Sequence, residues 1–200
     1  MSNTFTKSGY PLGIMFNADG DRFLDEGEDF RNYTYAKFGH EILRQKGGYA
    51  FQLYDFKVTP WLREEEYADD VVERVVALTV EELAKELSRK GLENPSRFLD
   101  TLQDFNKAVT SFTESHPGKV WDPSIKDGLS TGTSLKVPKS NWSQTIKQPP
   151  FIAVKVAAGI TFTFGGLAVD PSTAGVISNN GNPMTGLFAA GENVGGLFYS

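Results

Sequence analysis

The sequence predicts a mixed fold of α-helices and β-strands, and three features support this prediction. The middle of the chain carries helix-start signals and apolar side chains at helical spacing. A short apolar segment, residues 49–56, has the length and composition of a buried strand. Residues 151–169 return to strand composition after a long stretch rich in Pro, Gly, Ser and Thr. We therefore expect helices packed on a small sheet, followed by further strands.

Composition places the chain among globular domains and excludes several classes of function. Hydrophobic residues make up 40% of the 200 residues and charged residues 22%, which suits one large domain or two small ones. The formal net charge of -5 argues against nucleic acid as a partner. Without cysteine, thiolate metal sites and cysteine nucleophiles are excluded, and no other pattern predicts a metal. No apolar run is long enough to span a bilayer, so we expect a soluble, cytoplasmic protein.

A turn signal lies close to the start of the chain. Two short apolar runs flank Asp19-Gly20 within residues 13–25, which predicts a β-hairpin with a tight turn. A calcium loop is the alternative, because Asp19 and Asp21 are suitable ligands. The glycine stands at the wrong offset for an EF-hand and no glutamate closes the loop, so the hairpin is favoured.

Helices are predicted on both sides of the apolar strand. The apolar spacing within residues 32–45 predicts one helix, and the stretch 59–90 is predicted to be helical throughout. Thr79 begins a capping box inside that stretch. Asn94 and Pro95 begin a further helix, because asparagine caps a helix and proline fits its first turn.

The end of the chain has the composition of a ligand-binding segment. Residues 186–200 are rich in glycine, and Glu192 is their one carboxylate side chain. A buried strand that runs into a glycine turn lets backbone N–H groups approach a ligand. One acidic residue after such a strand can hold ribose hydroxyls. The segment does not match G-x-G-x-x-G, so an ordinary glycine turn stays an equal alternative.

Two polar stretches are candidates for a catalytic or ligand-binding role, although neither pattern by itself identifies a particular site. Four carboxylates precede Arg31 within residues 25–31, and surface ion pairs are the simplest interpretation of such a run. Lys139, Ser140 and Asn141 place a cation, a hydroxyl and an amide side by side. They lie in a long irregular stretch, and such loops are often functional.

Several motifs, in this order, resemble the FAD-dependent fumarate reductase and succinate dehydrogenase superfamily. The resemblance rests on YPLGIMFNADGDRFLDEGEDFRNYTYAKFG near the start, on VEELAKEL and KSNW, and on PPFIAVKV, ITFTFGGLAVD and GNPMTGLFAAGENVGG near the end. Within the superfamily, tricarballylate dehydrogenase and its FAD-binding relatives look most similar. The resemblance extends over nearly the whole chain, from about Tyr10 to Ser200.

The resemblance implies an α+β capping domain followed by part of an α/β FAD-binding domain of Rossmann-like type. Residues 1–155 correspond to the substrate-capping domain, and residues 156–200 correspond to the segment that returns to the FAD-binding domain. The family's N-terminal glycine fingerprint is not found in the chain. We therefore expect a portion of a longer enzyme, inactive in isolation. Its strands from Ile152 onward are expected to expose apolar surface and cause self-association.

The resemblance also implies a set of site residues. Arg31 corresponds to the cap arginine that moves a proton in catalysis, and it needs a relay because a guanidinium is a poor acid. The candidate relay residues are Asp25, Glu26, Glu28 and Asp29. The residues implied for substrate binding are Thr161, Thr163, Gly165, Gly166, Ser140 and Asn141. The residues implied for FAD binding are Ala190, Gly191, Glu192 and Asn193.

The activity implied is FAD-dependent oxidation or reduction of a carbon–carbon bond in a small carboxylate, with a separate electron acceptor or donor. A tricarballylate-like substrate is favoured over fumarate, because Phe162 stands where fumarate reductases place a carboxylate-binding histidine. Two alternatives stay open. One is a non-catalytic cap remnant or partner-dependent binding module, and the other is a generic α+β domain with an acidic surface loop.

Overall fold

The computed structural model describes residues 6–160 and 165–197. The chain divides into two compact units, and the division follows Ala158. The boundary expected after residue 155 falls inside the last strand of the first unit. Each unit has its own sheet, so each is described separately.

The first unit is built on a four-stranded antiparallel sheet with the strand order β1-β2-β4-β3. Its strands are β1 (Ile14–Phe16), β2 (Tyr49–Tyr54), β3 (Arg74–Ala77) and β4 (Phe151–Ala157). In the central pair, Tyr49 of β2 faces Ala157 of β4, and Tyr54 faces Ile152. The predicted strand at residues 49–56 is therefore confirmed as the centre of the sheet.

Helices pack on both faces of this sheet. They are α1 (Arg31–Arg44), α2 (Glu64–Tyr67), α3 (Val80–Ser88) and α4 (Pro95–Ser115). Successive residues of a strand point to opposite faces, so Ile14 and Phe16 pack with residues of α3 and α4. Met15 packs on the other face with Phe38 and Ile42 of α1. The first unit therefore has an apolar core on each side of its sheet.

The predicted helix starts are confirmed by their capping contacts. The Thr79 side chain accepts a hydrogen bond from the backbone N–H of Glu82 at 3.1 Å. The Asn94 side chain accepts one from the backbone N–H of Arg97 at 3.0 Å, with Pro95 in the first turn. These bonds satisfy N–H groups that have no partner within a helix.

The prediction of continuous helix over residues 59–90 is wrong. This stretch contains α2 and α3, but Arg74–Ala77 between them forms β3 at the edge of the sheet. Valines between residues 71 and 76 recur at helical spacing, and β-branched side chains suit strands equally well. Pairing with β4, which lies far away in sequence, decides between the two structures.

The predicted hairpin of residues 13–25 is also wrong, although its turn is present. Gly20 adopts a φ of 80°, and the Asn17 side chain accepts two backbone N–H groups within the turn. β1 pairs with β2 instead of the residues after the turn. After the turn, Arg22 and Glu26 form a buried ion pair instead of a strand, and Arg22 also donates to the Val137 carbonyl at 2.7 Å.

The second unit is small and has two antiparallel strands, β5 (Gly175–Ile177) and β6 (Pro183–Phe188). Val176 is the one buried apolar side chain within its described residues, 159–160 and 165–197. All six residues of β6 are exposed, so the prediction of a buried strand at residue 186 is wrong. Exposed apolar surface is confirmed for β6, whereas Ile152 and its neighbours in β4 are buried.

Candidate functional site

Arg31, the predicted catalytic residue, begins α1 and lines a cavity of about 230 Å³ in the first unit. Tyr10 fixes this first turn, since its hydroxyl donates to the Arg31 carbonyl at 3.2 Å and shares a hydrogen bond with Thr34 at 2.9 Å. Burial raises the pKa of Tyr10 to about 12. The phenol therefore keeps its proton, and its bond to the turn, at neutral pH.

A buried carboxylate lies beside Arg31, and it is not one of the four predicted relay acids. The Oε1 atom of Glu66 lies 4.0 Å from Nη1 of Arg31 and 3.1 Å from Nη1 of Arg63. Glu66 is fully buried, and it accepts the backbone N–H of Ser8 at 2.6 Å as well as the Ser8 hydroxyl. The fold thus brings two arginines and one carboxylate together.

Arg63 precedes the short helix α2 and lines the same cavity as Arg31. We call this space the arginine cavity. Arg63 also pairs with Glu65, with Nη2 and Oε1 2.6 Å apart. Sequence reasoning missed Arg63 and Glu66 because an arginine followed by three glutamates is typical of a solvated surface. The burial of Glu66 depends on Ser8, 58 residues earlier, which no local pattern indicates.

The four predicted relay acids all have other partners. These partners are Ser140 for Asp25, Arg22 for Glu26, Lys37 for Glu28 and Lys126 for Asp29. Among the described residues, Glu66 is the one carboxylate within 4.0 Å of the Arg31 guanidinium. The relay role of the four acids stays a prediction, and Glu66 becomes a further candidate.

Ser140 and Asn141, predicted to contact substrate, brace the segment that leads into α1. The Asn141 amide donates to the Gly27 carbonyl at 2.8 Å, and its oxygen accepts another backbone N–H at 2.8 Å. The adjacent Trp142 contacts Phe30, with the ring centroids 5.5 Å apart, and both rings line the arginine cavity. The motif therefore lies next to the cavity, and its substrate contact stays a prediction.

Gly166, implied for substrate binding, lies against the turn of residues 190–193 that is implied for FAD binding, within the second unit. The backbone N–H of Leu167 donates to the Asn193 carbonyl at 2.8 Å, and the Gly195 N–H donates to the Leu167 carbonyl at 3.1 Å. A Cβ atom on Gly166 would lie 2.5 Å from the Gly195 nitrogen and 2.6 Å from the Asn193 oxygen. Only glycine permits this approach without displacing backbone. Thr161 and Thr163 lie outside the described residues.

Glu192 lies on an exposed turn that follows β6. Gly191 adopts a φ of 70°, and the turn of Gly191–Asn193 closes when the Val194 N–H donates to the Gly191 carbonyl at 3.0 Å. Ala190 and Glu192 are both exposed. A carboxylate accepts hydrogen bonds only, so this turn fits the hydroxyl groups of a ribose. Within the described ranges, no three metal-ligating side chains form a cluster.

Comparison with a family model defines the class of protein. A model described as FAD binding domain matches residues 1–199. The chain belongs to this family of FAD-binding domains, within the FAD-dependent fumarate reductase and succinate dehydrogenase superfamily. The predicted superfamily and the predicted cofactor, FAD, are therefore confirmed. The exposed glycine turn bearing Glu192 fits such a cofactor.

Individual relatives add named activities. The chain is 30% identical over 184 residues to a probable fumarate reductase of Shewanella frigidimarina, covering 92% of this chain and 26% of the relative. It is 27% identical to an NADH:fumarate oxidoreductase of Klebsiella pneumoniae and 25% identical to an NADH:acrylate oxidoreductase of Vibrio harveyi. The matches cover 92% of this chain in both cases, and 17% and 16% of those relatives. The chain thus spans about a quarter of these relatives or less.

Solved structures share the fold. The open conformation of a flavocytochrome c3 fumarate reductase matches with a TM-score of 0.59 and 29% identity, over 93% of this chain and 28% of that chain. A 3-ketosteroid delta1-dehydrogenase from Sterolibacterium denitrificans matches with a TM-score of 0.64 and 21% identity, over 97% of this chain and 35% of that chain. The second likeness concerns the fold alone. The predicted mixed α and β flavoprotein fold is confirmed. No helix in the described part of the chain combines the length and apolarity needed to cross a membrane.

Proposed function

We propose that this chain forms part of an FAD-dependent oxidoreductase that acts on a carbon–carbon bond beside a carboxylate. The observation that supports this most is the pair of arginines, Arg31 and Arg63, in one cavity of an FAD-binding family member. The names of the relatives, fumarate reductase and acrylate oxidoreductase, support a small unsaturated carboxylate as substrate. Fumarate-like molecules fall within this proposal as substrates of reduction, and saturated, tricarballylate-like molecules fall within it as substrates of the reverse oxidation.

The two units have separate roles in this proposal. The first unit is the substrate-capping domain, because it contains the arginine cavity. The second unit is part of the FAD-binding domain, in which Glu192 binds a ribose hydroxyl and Ala190, Gly191 and Asn193 shape its turn. Gly165 and Gly166, together with Thr161 and Thr163, form the substrate-side turn. The packing of Gly166 on the Gly195 backbone supports this pairing of turns.

The arginines perform two tasks in the proposed reaction. A guanidinium binds a carboxylate through paired hydrogen bonds, so Arg31 and Arg63 hold and orient the substrate. FAD, when bound, provides the hydride chemistry of the family. Arg31 also moves the matching proton, and because a guanidinium is a very weak acid, it needs a partner that returns a proton to it. Glu66, 4.0 Å away, is the relay that we propose. A separate electron carrier completes the cycle.

A partner-dependent binding module is the second candidate function. It is favoured by the single buried apolar side chain in the described part of the second unit and by the full exposure of β6. Such a module would bind carboxylates in the arginine cavity without turnover. The two functions differ in whether a flavin signal responds to substrate.

Steady-state turnover of an Arg31 variant tests the first candidate. We expect the FAD-loaded protein to oxidise a reduced viologen dye anaerobically when acrylate or fumarate, whose C=C bond accepts the electrons, is added. Arg31→Lys should lower turnover by about 100-fold or more at unchanged FAD content, because lysine lacks the planar donor pair. Arg44→Lys is the matched control, since Arg44 lies on the same helix and pairs with Glu41 at the surface. Wild-type turnover by the Arg31→Lys variant would contradict the role of Arg31.

A further inference from the structure

The arginine cavity has little positive charge left for a ligand. Arg31 and Arg63 are the two cations among its described lining residues, and the buried Glu66 lies within 4.0 Å of both guanidinium groups. Arg63 also pairs with Glu65, so two cations are set against two carboxylates. One ligand carboxylate can share the two guanidinium groups, whereas each additional carboxylate adds a charge without a partner, and unpaired charges are costly in partly desolvated surroundings.

The rest of the cavity wall is aromatic and apolar. Phe30, Trp61 and Trp142 line it together with Pro11, Leu12 and Pro123. Trp61 is 57% exposed even though its ring makes an edge-on contact with Trp121, at 5.3 Å between centroids. Three aromatic and three other apolar side chains exceed what a carboxylate alone requires. Such a wall is complementary to a flat hydrocarbon group.

Trp142 adopts an unfavourable backbone conformation in this wall. Its φ is 56°, which is unfavourable for a bulky residue. Its indole N–H donates to the carbonyls of Asp122 and Ile125, and its backbone N–H donates to the Asp127 carboxylate at 2.9 Å. Strained residues that are fixed by several contacts tend to occur at functional sites. This observation is independent of the charge count.

We propose that the substrate of this site is a monocarboxylate whose unsaturated carbon bears a flat apolar group, for example an aryl-substituted acrylate. Arg31 and Arg63 bind its carboxylate, and Trp61, Phe30 and Trp142 contact its ring. This inference rests on the proposed function and narrows its substrate class. A compact tricarboxylate meets the charge requirement poorly and leaves the aromatic wall without contacts.

Calorimetric titration of the 200-residue chain without FAD tests this inference. The probes are 3-phenylacrylate, acrylate, fumarate and tricarballylate at equal ionic strength. We expect 3-phenylacrylate to bind about tenfold more tightly than acrylate, since the ring gains contact with the aromatic wall. Tricarballylate should bind no more tightly than acrylate. Arg63→Gln should weaken the binding of acrylate and of 3-phenylacrylate by about tenfold or more, because their carboxylate loses a guanidinium partner.

A pair of aromatic variants makes the test specific. Trp61→Ala should remove the preference for 3-phenylacrylate over acrylate, because it deletes a ring that contacts the aryl group. Phe56→Ala is the matched control, since Phe56 is 55% exposed and lies outside the cavity lining. Tighter binding of tricarballylate than of 3-phenylacrylate, or an unchanged preference in Trp61→Ala, overturns the inference. If acrylate still supports Arg31-dependent turnover in either case, the proposed function stands and the substrate class alone is wrong.

Discussion

Lys139 belongs to the KSNW motif, whose polar side chains suggest a functional role. Its contacts in the structure instead give it a structural role. The Nζ atom of this fully buried lysine donates to the carbonyls of Pro11 at 2.7 Å and Gly13 at 2.6 Å. Both acceptors lie in the segment that runs into β1. Lys139 therefore connects the long loop to the segment before β1, and its burial affects its protonation.

Burial lowers the pKa of Lys139 from 10.5 to about 8, against an opposing influence of Glu26. The unfolded chain then binds more protons than the folded chain between pH 8 and 10.5. The free energy of unfolding should consequently rise with pH across this window, by about 3 kcal/mol from this group. Urea unfolding at several pH values, followed by the fluorescence of buried Trp142, measures the rise.

Lys139→Met separates this effect from other titrating groups. The variant should be less stable than wild type at neutral pH, because two carbonyls lose their donor. Its free energy of unfolding should also lack the rise that Lys139 contributes. Parallel pH profiles of wild type and variant would contradict the account of Lys139.

At the scale of single residues, the sequence could identify only those positions that a motif marks. Arg31 was found through its motif, and the structure places it in a cavity. Arg63 and Glu66 could not be found, because their roles depend on contact with Ser8 and on the fold of α2. Asn141 was found as a polar residue, but hydrogen bonds to distant backbone give it a bracing position.

At the scale of elements, local residue patterns predict where helices start, but they do not predict which distant strands pair. The starts of α3 and α4 follow from Thr79 and Asn94, whose capping bonds reach only three residues along the chain. β3 forms through pairing with β4, and β1 pairs with β2 across more than thirty residues. Neither partner choice is determined by the composition of the strand itself, which explains why the continuous helix over residues 59–90 and the hairpin of residues 13–25 are wrong.

The segment before α1 is held in place by a close approach between two backbones. A Cβ atom on Gly27 would lie 2.3 Å from the Asn141 oxygen and 2.6 Å from its nitrogen. Gly27→Ala should therefore lower the free energy of unfolding by about 1–3 kcal/mol, as measured by urea denaturation. Gly118→Ala is the control, since a Cβ atom there meets nothing within 4 Å. Equal stability of the two variants would show that the approach is not a constraint.

Gly166 offers a similar test in the second unit, with a functional readout. Gly166→Ala should push the Asn193–Gly195 backbone away and weaken FAD retention by about tenfold, because the proposed ribose-binding turn shifts. Gel filtration followed by the visible absorption of bound flavin measures retention. Gly159→Ala is the control, because its Cβ would lie in open space. Equal flavin loss in both variants would mean that this turn does not bind FAD.

At the scale of the whole molecule, the two units differ greatly in how many apolar side chains they bury. The first unit has apolar cores on both faces of its sheet. The described part of the second unit buries only Val176 and exposes Leu187 and Phe188. The chain also spans about a quarter or less of the relatives that it matches. The activity that we propose therefore belongs to the FAD-loaded protein, and it is tested there.

The central claim is that bound FAD exchanges a hydride with a carboxylate-bearing substrate. The most direct measurement is the visible absorption of reduced flavin in the FAD-loaded protein, mixed anaerobically with acrylate, fumarate or 3-phenylacrylate. We predict that the flavin stays reduced in buffer and reoxidises when an unsaturated carboxylate is added. A flavin that stays reduced with all three compounds would contradict the account and would favour a binding module without turnover.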